Sequence, residues 1–180
     1  MKTNLLIKAI PSDTNDILTR IKLGRTLYGP QGVHAGVLED PWCSLCKDED
    51  SLEIEDSLAH SNYSCPHVFK IIRDVSKYFL VTTPTIKDYI LGVTKSNIDH
   101  TLDKQYGCLI SSLLYNLSVQ LITTRRRASQ PLVGSQIIKD IISKLQSFTA
   151  HCPTHRLTGI LKLPSLSHFL VYNVDILLLE

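Results

Sequence analysis

The tightest constraint on this chain is a set of four metal donors between residues 43 and 65. Two residues separate Cys43 from Cys46, thirteen separate Cys46 from His60, and four separate His60 from Cys65. Structural zinc takes four protein ligands in a tetrahedron, and Cys3His is among its usual sets. The C-x2-C spacing lets one tight turn bring two sulfurs to about 2.3 Å from an ion. The His-x4-Cys pair can supply the other two from the end of one element and the start of the next. With all four positions filled by protein, no open position is left for water, so the expected Zn2+ is structural and not catalytic. His67 is an alternative fourth ligand, or else a partner for the free nitrogen of a ligating imidazole. The same thiols could be unrelated buried cysteines. A redox pair at Cys43 and Cys46 lacks the surrounding βαβ pattern of such motifs. Cys152 and His155 have no two further ligands near them in sequence, and His34 and His168 stand alone.

Five cysteines are an odd number, and Cys108 and Cys152 lie apart from the cluster. A secreted disulfide scaffold would pair its cysteines and carry a signal peptide. Residues 1–10 are too short and too polar an apolar run for one. A reduced, intracellular setting, nucleus or cytoplasm, is the expectation. The net charge of +2 gives no whole-chain basic field. Its distribution is uneven. Asp48, Glu49, Asp50, Glu53, Glu55 and Asp56 gather six of the 17 acids between the second and third ligands, which leaves the rest of the chain basic.

Periodicity then predicts a mainly α chain: a short Cys3His zinc knuckle, a small helical bundle after it, and an irregular tail. Residues 1–40 form a lead-in with a helix over 12–23 and an irregular Gly-rich stretch from Leu27 to Gly36. Residues 41–67 form the knuckle, with Trp42 covering one side of it and a short helix over 55–60 ending near His60. The helical body spans 68–150. A helix opens at Pro66, which suits a first turn, and runs to Phe79. Val68, Phe69, Ile72, Val75 and Phe79 form its buried face, and Lys70, Arg73 and Lys77 share an exposed stripe. A short helix follows over 85–91, then the longest helix, over 102–127. There Tyr106, Leu109, Ile110, Leu113, Leu114, Leu117 and Leu121 oppose a polar face of Ser111, Ser112, Asn116, Gln120 and Thr123. Residues 105–124 carry no charge and are followed by Arg125, Arg126 and Arg127, which also fits a membrane span. The one-sided polarity favours a buried helix instead, so no membrane contact is expected. Pro131 and Gly134 break the pattern, and a last helix over 135–149 carries Ile137, Ile138, Ile141, Ile142, Leu145 and Phe148. Residues 151–180 form a tail whose structure is not predicted.

The ligand set, Pro66, the Ile21–Arg25 segment and Gly-rich stretch before Trp42, and the basic end of the long helix together resemble the zinc-binding region of non-LTR retrotransposon reverse transcriptases. That region lies downstream of the polymerase. The resemblance covers residues 15–148, and its specific content is the four ligands, Pro66 and the order of helices. The interval between Cys46 and His60 is long and acidic for the family. The resemblance implies a C-terminal module, or a remnant of one, that binds RNA or DNA or docks on the polymerase portion of the same element.

No Tyr-x-Asp-Asp sequence, no paired acids for two metals and no phosphate-cradling Gly-rich loop with Lys occur, so no enzymatic activity and no small-molecule substrate are expected. The candidate nucleic-acid contacts are Lys70, Arg73 and Lys77 and the cluster Arg125, Arg126 and Arg127. Three arginines at a helix C-terminus also suit the dipole there. Six acids in the knuckle would repel phosphate, so the grip is expected on the helices. Two other functions fit the same residues: a zinc-stapled protein-interaction module, and a non-functional remnant.

Overall fold

The computed structural model describes residues 26–50, 53–79, 81, 83–91 and 109–151. The expected helix over 12–23, the first part of the longest helix and the C-terminal tail lie outside these residues. What is described is mainly helical, as the periodicity predicts. The single extended pairing among the described residues is an isolated antiparallel bridge between Trp42 and Glu55.

Six α-helices and one π-helical turn follow in order among the described residues. α1 is Gly29–His34, α2 is Ser44–Asp50, the π-helical turn is His60–Ser64, α3 is Pro66–Tyr78, α4 is Ile86–Leu91, α5 is Leu109–Arg127 and α6 is Gly134–His151. α1 replaces the irregular stretch expected there. Pro30 presets a first-turn φ, and the Tyr28 carbonyl accepts from the N–H groups of Gln31 and Gly32, at 3.1 and 3.2 Å.

α3 packs on α6, on α5 and on the π-helical turn, while α5 also contacts α4 and α6. The buried face of α3 is Val68, Ile71, Ile72 and Val75, with Phe79 after its end. Phe69, assigned to that face from the sequence, is 36% exposed instead. It sits one position off the buried row and meets Tyr63 edge to face, ring centroids 5.4 Å apart. From α6 come Ile137, Ile138, Ile141, Ile142 and Leu145. Each such aliphatic side chain contributes roughly 1.5–3 kcal/mol on burial.

α5 corrects the two-faced helix read from the sequence. Every residue from Leu113 to Thr123 is buried, including Asn116, Ser118, Gln120 and Thr123. The reason is its central place: α3, α4, α6 and the π-helical turn surround it. Ser118 returns its hydroxyl to the Leu114 carbonyl at 2.8 Å. Thr123 donates to the Asn62 side chain at 3.3 Å, and Asn62 also donates to the Tyr28 hydroxyl at 3.0 Å. That chain of bonds ties the lead-in, the knuckle and α5 together. No helix of the described residues is long and apolar enough to cross a membrane.

Candidate metal centre

Three short pieces of local structure bring the donors together. The first is a turn after Cys43, whose carbonyl accepts from the N–H groups of Cys46 and Lys47 at 3.1 and 3.0 Å. This folds the C-x2-C pair back on itself as α2 begins. Backbone N–H groups of Leu45 and Cys46 also point at the Cys43 sulfur.

The second piece closes the long acidic interval. Cys43 N–H donates to the Ile54 carbonyl at 2.8 Å, and Asp56 N–H donates to the Pro41 carbonyl at 2.9 Å. These two rungs flank the Trp42–Glu55 bridge and return the chain to the site just before His60. Gly29 backs the rungs with φ at +42°. A Cβ there would lie 3.1 Å from the Asp56 carbonyl oxygen and 3.2 Å from that of Pro41. Both the left-handed backbone and the close approach call for glycine.

The third piece is the π-helical turn. The sequence suggested a helix ending near His60. In the structure helical backbone begins at Leu58, and His60 opens the wide turn. Ser57 sets its start, accepting from His60 N–H at 3.1 Å through its hydroxyl. The turn ends with Cys65 N–H donating to the His60 carbonyl at 3.0 Å, an i→i+5 bond. On a regular α-helix of 3.6 residues per turn, positions five apart point about 140° away from each other. Widening the turn by one residue brings His60 and Cys65 to the same side. Such turns are uncommon and concentrate at functional sites. Cys65 then stands immediately before α3, where the N–H groups of His67 and Val68 point at its sulfur.

The result is a compact buried cluster. Ligand atoms of Cys43, Cys46, His60 and Cys65 all lie within 4.8 Å of one another, and all four residues are buried. His67 is not among them. The sulfurs of Cys43 and Cys65 are 4.0 Å apart, and those of Cys46 and Cys65 are 3.7 Å apart. His60 Nε2 is 3.4 Å from Cys46 Sγ. All three cysteines are free thiols, and these separations are far beyond the roughly 2.05 Å of a disulfide. They match a metal tetrahedron instead. Zinc–sulfur bonds of about 2.3 Å and zinc–nitrogen bonds of about 2.05 Å give edges of about 3.8 Å between sulfurs and about 3.6 Å from sulfur to nitrogen. The residues therefore fit a four-coordinate ion, and could hold one with all positions occupied by protein.

Arg126 completes the surroundings. It reaches in from the end of α5, and its Nη2 is 2.9 Å from Asp56 Oδ1 and 3.6 Å from Cys43 Sγ. Its Nη1 donates to the Ser61 carbonyl at 2.7 Å. Ser61 in turn donates its hydroxyl to Asp56 Oδ1. Burial works against the guanidinium charge, but Asp56, Cys43 and Cys65 outweigh it and hold the group above its ordinary value. Among the thiols, the hydrogen bond with Cys65 draws Cys43 down to about 4 against the opposing effect of burial, with Arg126 adding to it. Cys65 is pushed up by the same bond and by burial, and Cys46 is pushed up mainly by burial.

Proton competition follows with a definite sign. A thiol held above its ordinary value keeps its proton at neutral pH, and a metal must displace that proton to bind. Cys46 and Cys65 are in that position, while Cys43 is not. Zinc affinity will therefore rise with pH between about 6 and 8, with about two thiol protons released per ion. Competition with a zinc-binding dye across that range checks the direction; an affinity that is flat or falls with pH contradicts it.

The other candidate residues fall into two groups. Lys70, Arg73 and Lys77 are all exposed on the outer side of α3. The three arginines separate. Arg125 turns back to Asp140 of α6 at 2.7 Å and to the Pro131 carbonyl at 3.3 Å. Arg126 is drawn into the metal centre, and Arg127 is exposed. Sequence reasoning did not find the roles of Asp56, Ser61 and Arg126, because partners about 70 positions apart leave no local pattern. No family model matches the chain, and neither does any curated protein or any solved structure.

Proposed function

We propose that this chain is a zinc-stapled helical module that binds nucleic acid, related to the region downstream of the polymerase in non-LTR retrotransposon reverse transcriptases. In this reading it is the C-terminal module of such an enzyme, or a remnant of one, and has no polymerase activity of its own. Zn2+ held by Cys43, Cys46, His60 and Cys65 supplies folding energy and no reaction step. The observation that carries the reading is the position of Cys65 directly ahead of α3. A metal ligand there fixes the direction of the one described helix whose outer face shows Lys70, Arg73 and Lys77. Phosphate contacts of this kind dominate affinity for nucleic acid and make it depend on salt.

The test is fluorescence anisotropy with short single-stranded RNA and duplex DNA, on zinc-loaded full chain, over a range of salt. Replacing Lys70, Arg73 and Lys77 together by Ala is expected to weaken binding at least tenfold at low salt. It should also flatten the salt slope by about one for each phosphate no longer neutralised. Binding that is absent at low salt points to the second reading, a zinc-stapled protein-interaction module. That reading draws on Arg125 and Arg126, whose charges are spent on Asp140 and Asp56 inside the fold.

A further inference from the structure

The guanidinium of Arg126 meets two groups of different kinds through one nitrogen. Its Nη2 faces both the sulfur of Cys43, at 3.6 Å, and the carboxylate of Asp56, at 2.9 Å. Its second amino group is taken by the Ser61 carbonyl at 2.7 Å, one residue past His60. The Arg126 side chain is only 11% exposed and that of Asp56 15%. A charge so far from water is costly unless it is paired, and a planar fork of five N–H donors is the group that can serve a sulfur, a carboxylate and a carbonyl at once. An ammonium group is a point charge and cannot hold all three in fixed directions.

The charge balance gives this placement a purpose. Three thiolates, a neutral imidazole and a divalent ion sum to one negative charge, enclosed by protein. Arg126 is a cation whose nitrogen reaches a ligand sulfur. We propose that Arg126 is a positioning residue of the metal centre. Its N–H···S bond fixes the Cys43 sulfur, reduces that sulfur's electron donation to the metal, and sets a counter-charge against the centre. Because the side chain belongs to the end of α5, metal loading and the seating of α5 on the knuckle become one event. Asp56 serves this by accepting from the same Nη2 and so holding the guanidinium in place. The inference rests on the zinc reading of the Cys3His cluster and goes beyond it in assigning a role to Arg126.

The experiment uses the full chain with Arg126→Met and Arg126→Lys, and Lys87→Met as a charge-loss control on the exposed side of α4. Two quantities are measured. One is the zinc dissociation constant by competition with a chelating dye. The other is the sulfur-to-metal charge-transfer band of the Co2+-substituted protein. Loss of a partner that orients a ligand typically weakens metal binding about 10–100-fold, and that range is expected for Arg126→Met. Its charge-transfer band is expected at lower energy, because a sulfur freed of a hydrogen bond donates more readily. Arg126→Lys keeps the charge without the fork and should fall between Met and wild type in both measurements. Lys87→Met should match wild type. A folded Arg126→Met protein with wild-type affinity and spectrum overturns the proposal. If that variant does not fold, Arg126→Lys decides: a shifted band supports the role and an unshifted one overturns it. Wild-type protein that takes up neither Zn2+ nor Co2+ overturns the zinc reading itself, before any variant is compared.

Discussion

Cys65→Ser will abolish stoichiometric zinc binding and unfold the segment from about residue 40 to 80. Few apolar contacts would hold its first part, up to Cys65, without a metal. Among the described residues between the first and last ligands, the buried ones are the ligands themselves with Ser61 and Asn62, while Leu45, Ile54 and Leu58 are only partly buried. Backbone that is ordered there loses roughly 1–2 kcal/mol of conformational freedom per residue. A structural zinc site supplies apparent binding energy of about 10–16 kcal/mol at neutral pH, enough to offset much of that loss. Serine offers a hard, weakly acidic oxygen in place of a soft thiolate and leaves three good donors. The position is also the hinge between the π-helical turn and α3, so the defect spreads in both directions. Metal analysis by mass spectrometry and far-UV circular dichroism check this together. Wild type should carry stoichiometric zinc and lose helicity on chelation, and Cys65→Ser should be cleaved faster by protease than Cys152→Ser. Purified wild type without zinc at neutral pH would sink the idea.

Ile141→Ala will strongly destabilise the helical bundle away from the candidate metal centre. Ile141 is fully buried on α6, and α6 packs on both α3 and α5. Removing three carbons from such a site loses their transfer energy and leaves a cavity, together about 2–5 kcal/mol. Since domains are stable by only about 5–15 kcal/mol, that is a large share. Urea unfolding in the presence of zinc should show a lower midpoint with an unchanged slope. Zinc stoichiometry should stay at the wild-type value without urea, because Ile141 is not among the four donors and the weakened bundle remains folded there. A loss of bound zinc in Ile141→Ala would mean that the knuckle depends on the bundle more than its local bonds suggest.

These two variants also mark what was legible in the sequence. The four donors that the structure brings together were, because a metal tetrahedron demands fixed donor types at short spacings. So were α3 and α6, whose apolar residues recur at helical period and face one side. The sequence also marks α5 as a helix, but its pattern implies two faces where the structure buries every residue from Leu113 to Thr123. Asn116, Gln120 and Thr123 do recur on one side of it, yet polar residues mark an outer face only when water lies there, and here α5 is surrounded. The start of the wide turn at His60 was displaced for a related reason: nothing local distinguishes a turn closed by an i→i+5 bond from an ordinary one. Arg126 was grouped with Arg125 and Arg127 as a basic cluster. Adjacent residues on a helix point about 100° apart, so three neighbours meet three different surroundings.

The two rungs beside the Trp42–Glu55 bridge carry a last consequence for how such sites are engineered and searched for. The chain enters at Cys43 and returns at Asp56 already clamped by backbone bonds, so the metal does not sense how many residues run between. Doubling the length of a flexible loop adds only about 0.6 kcal/mol of closure entropy. An epitope or a fluorophore tag inserted after Asp50, past the end of α2, is therefore expected to leave the donors in place. By the same logic, a search pattern with a fixed count of thirteen is too strict. The distance that matters runs from the returning rung at Asp56 to His60.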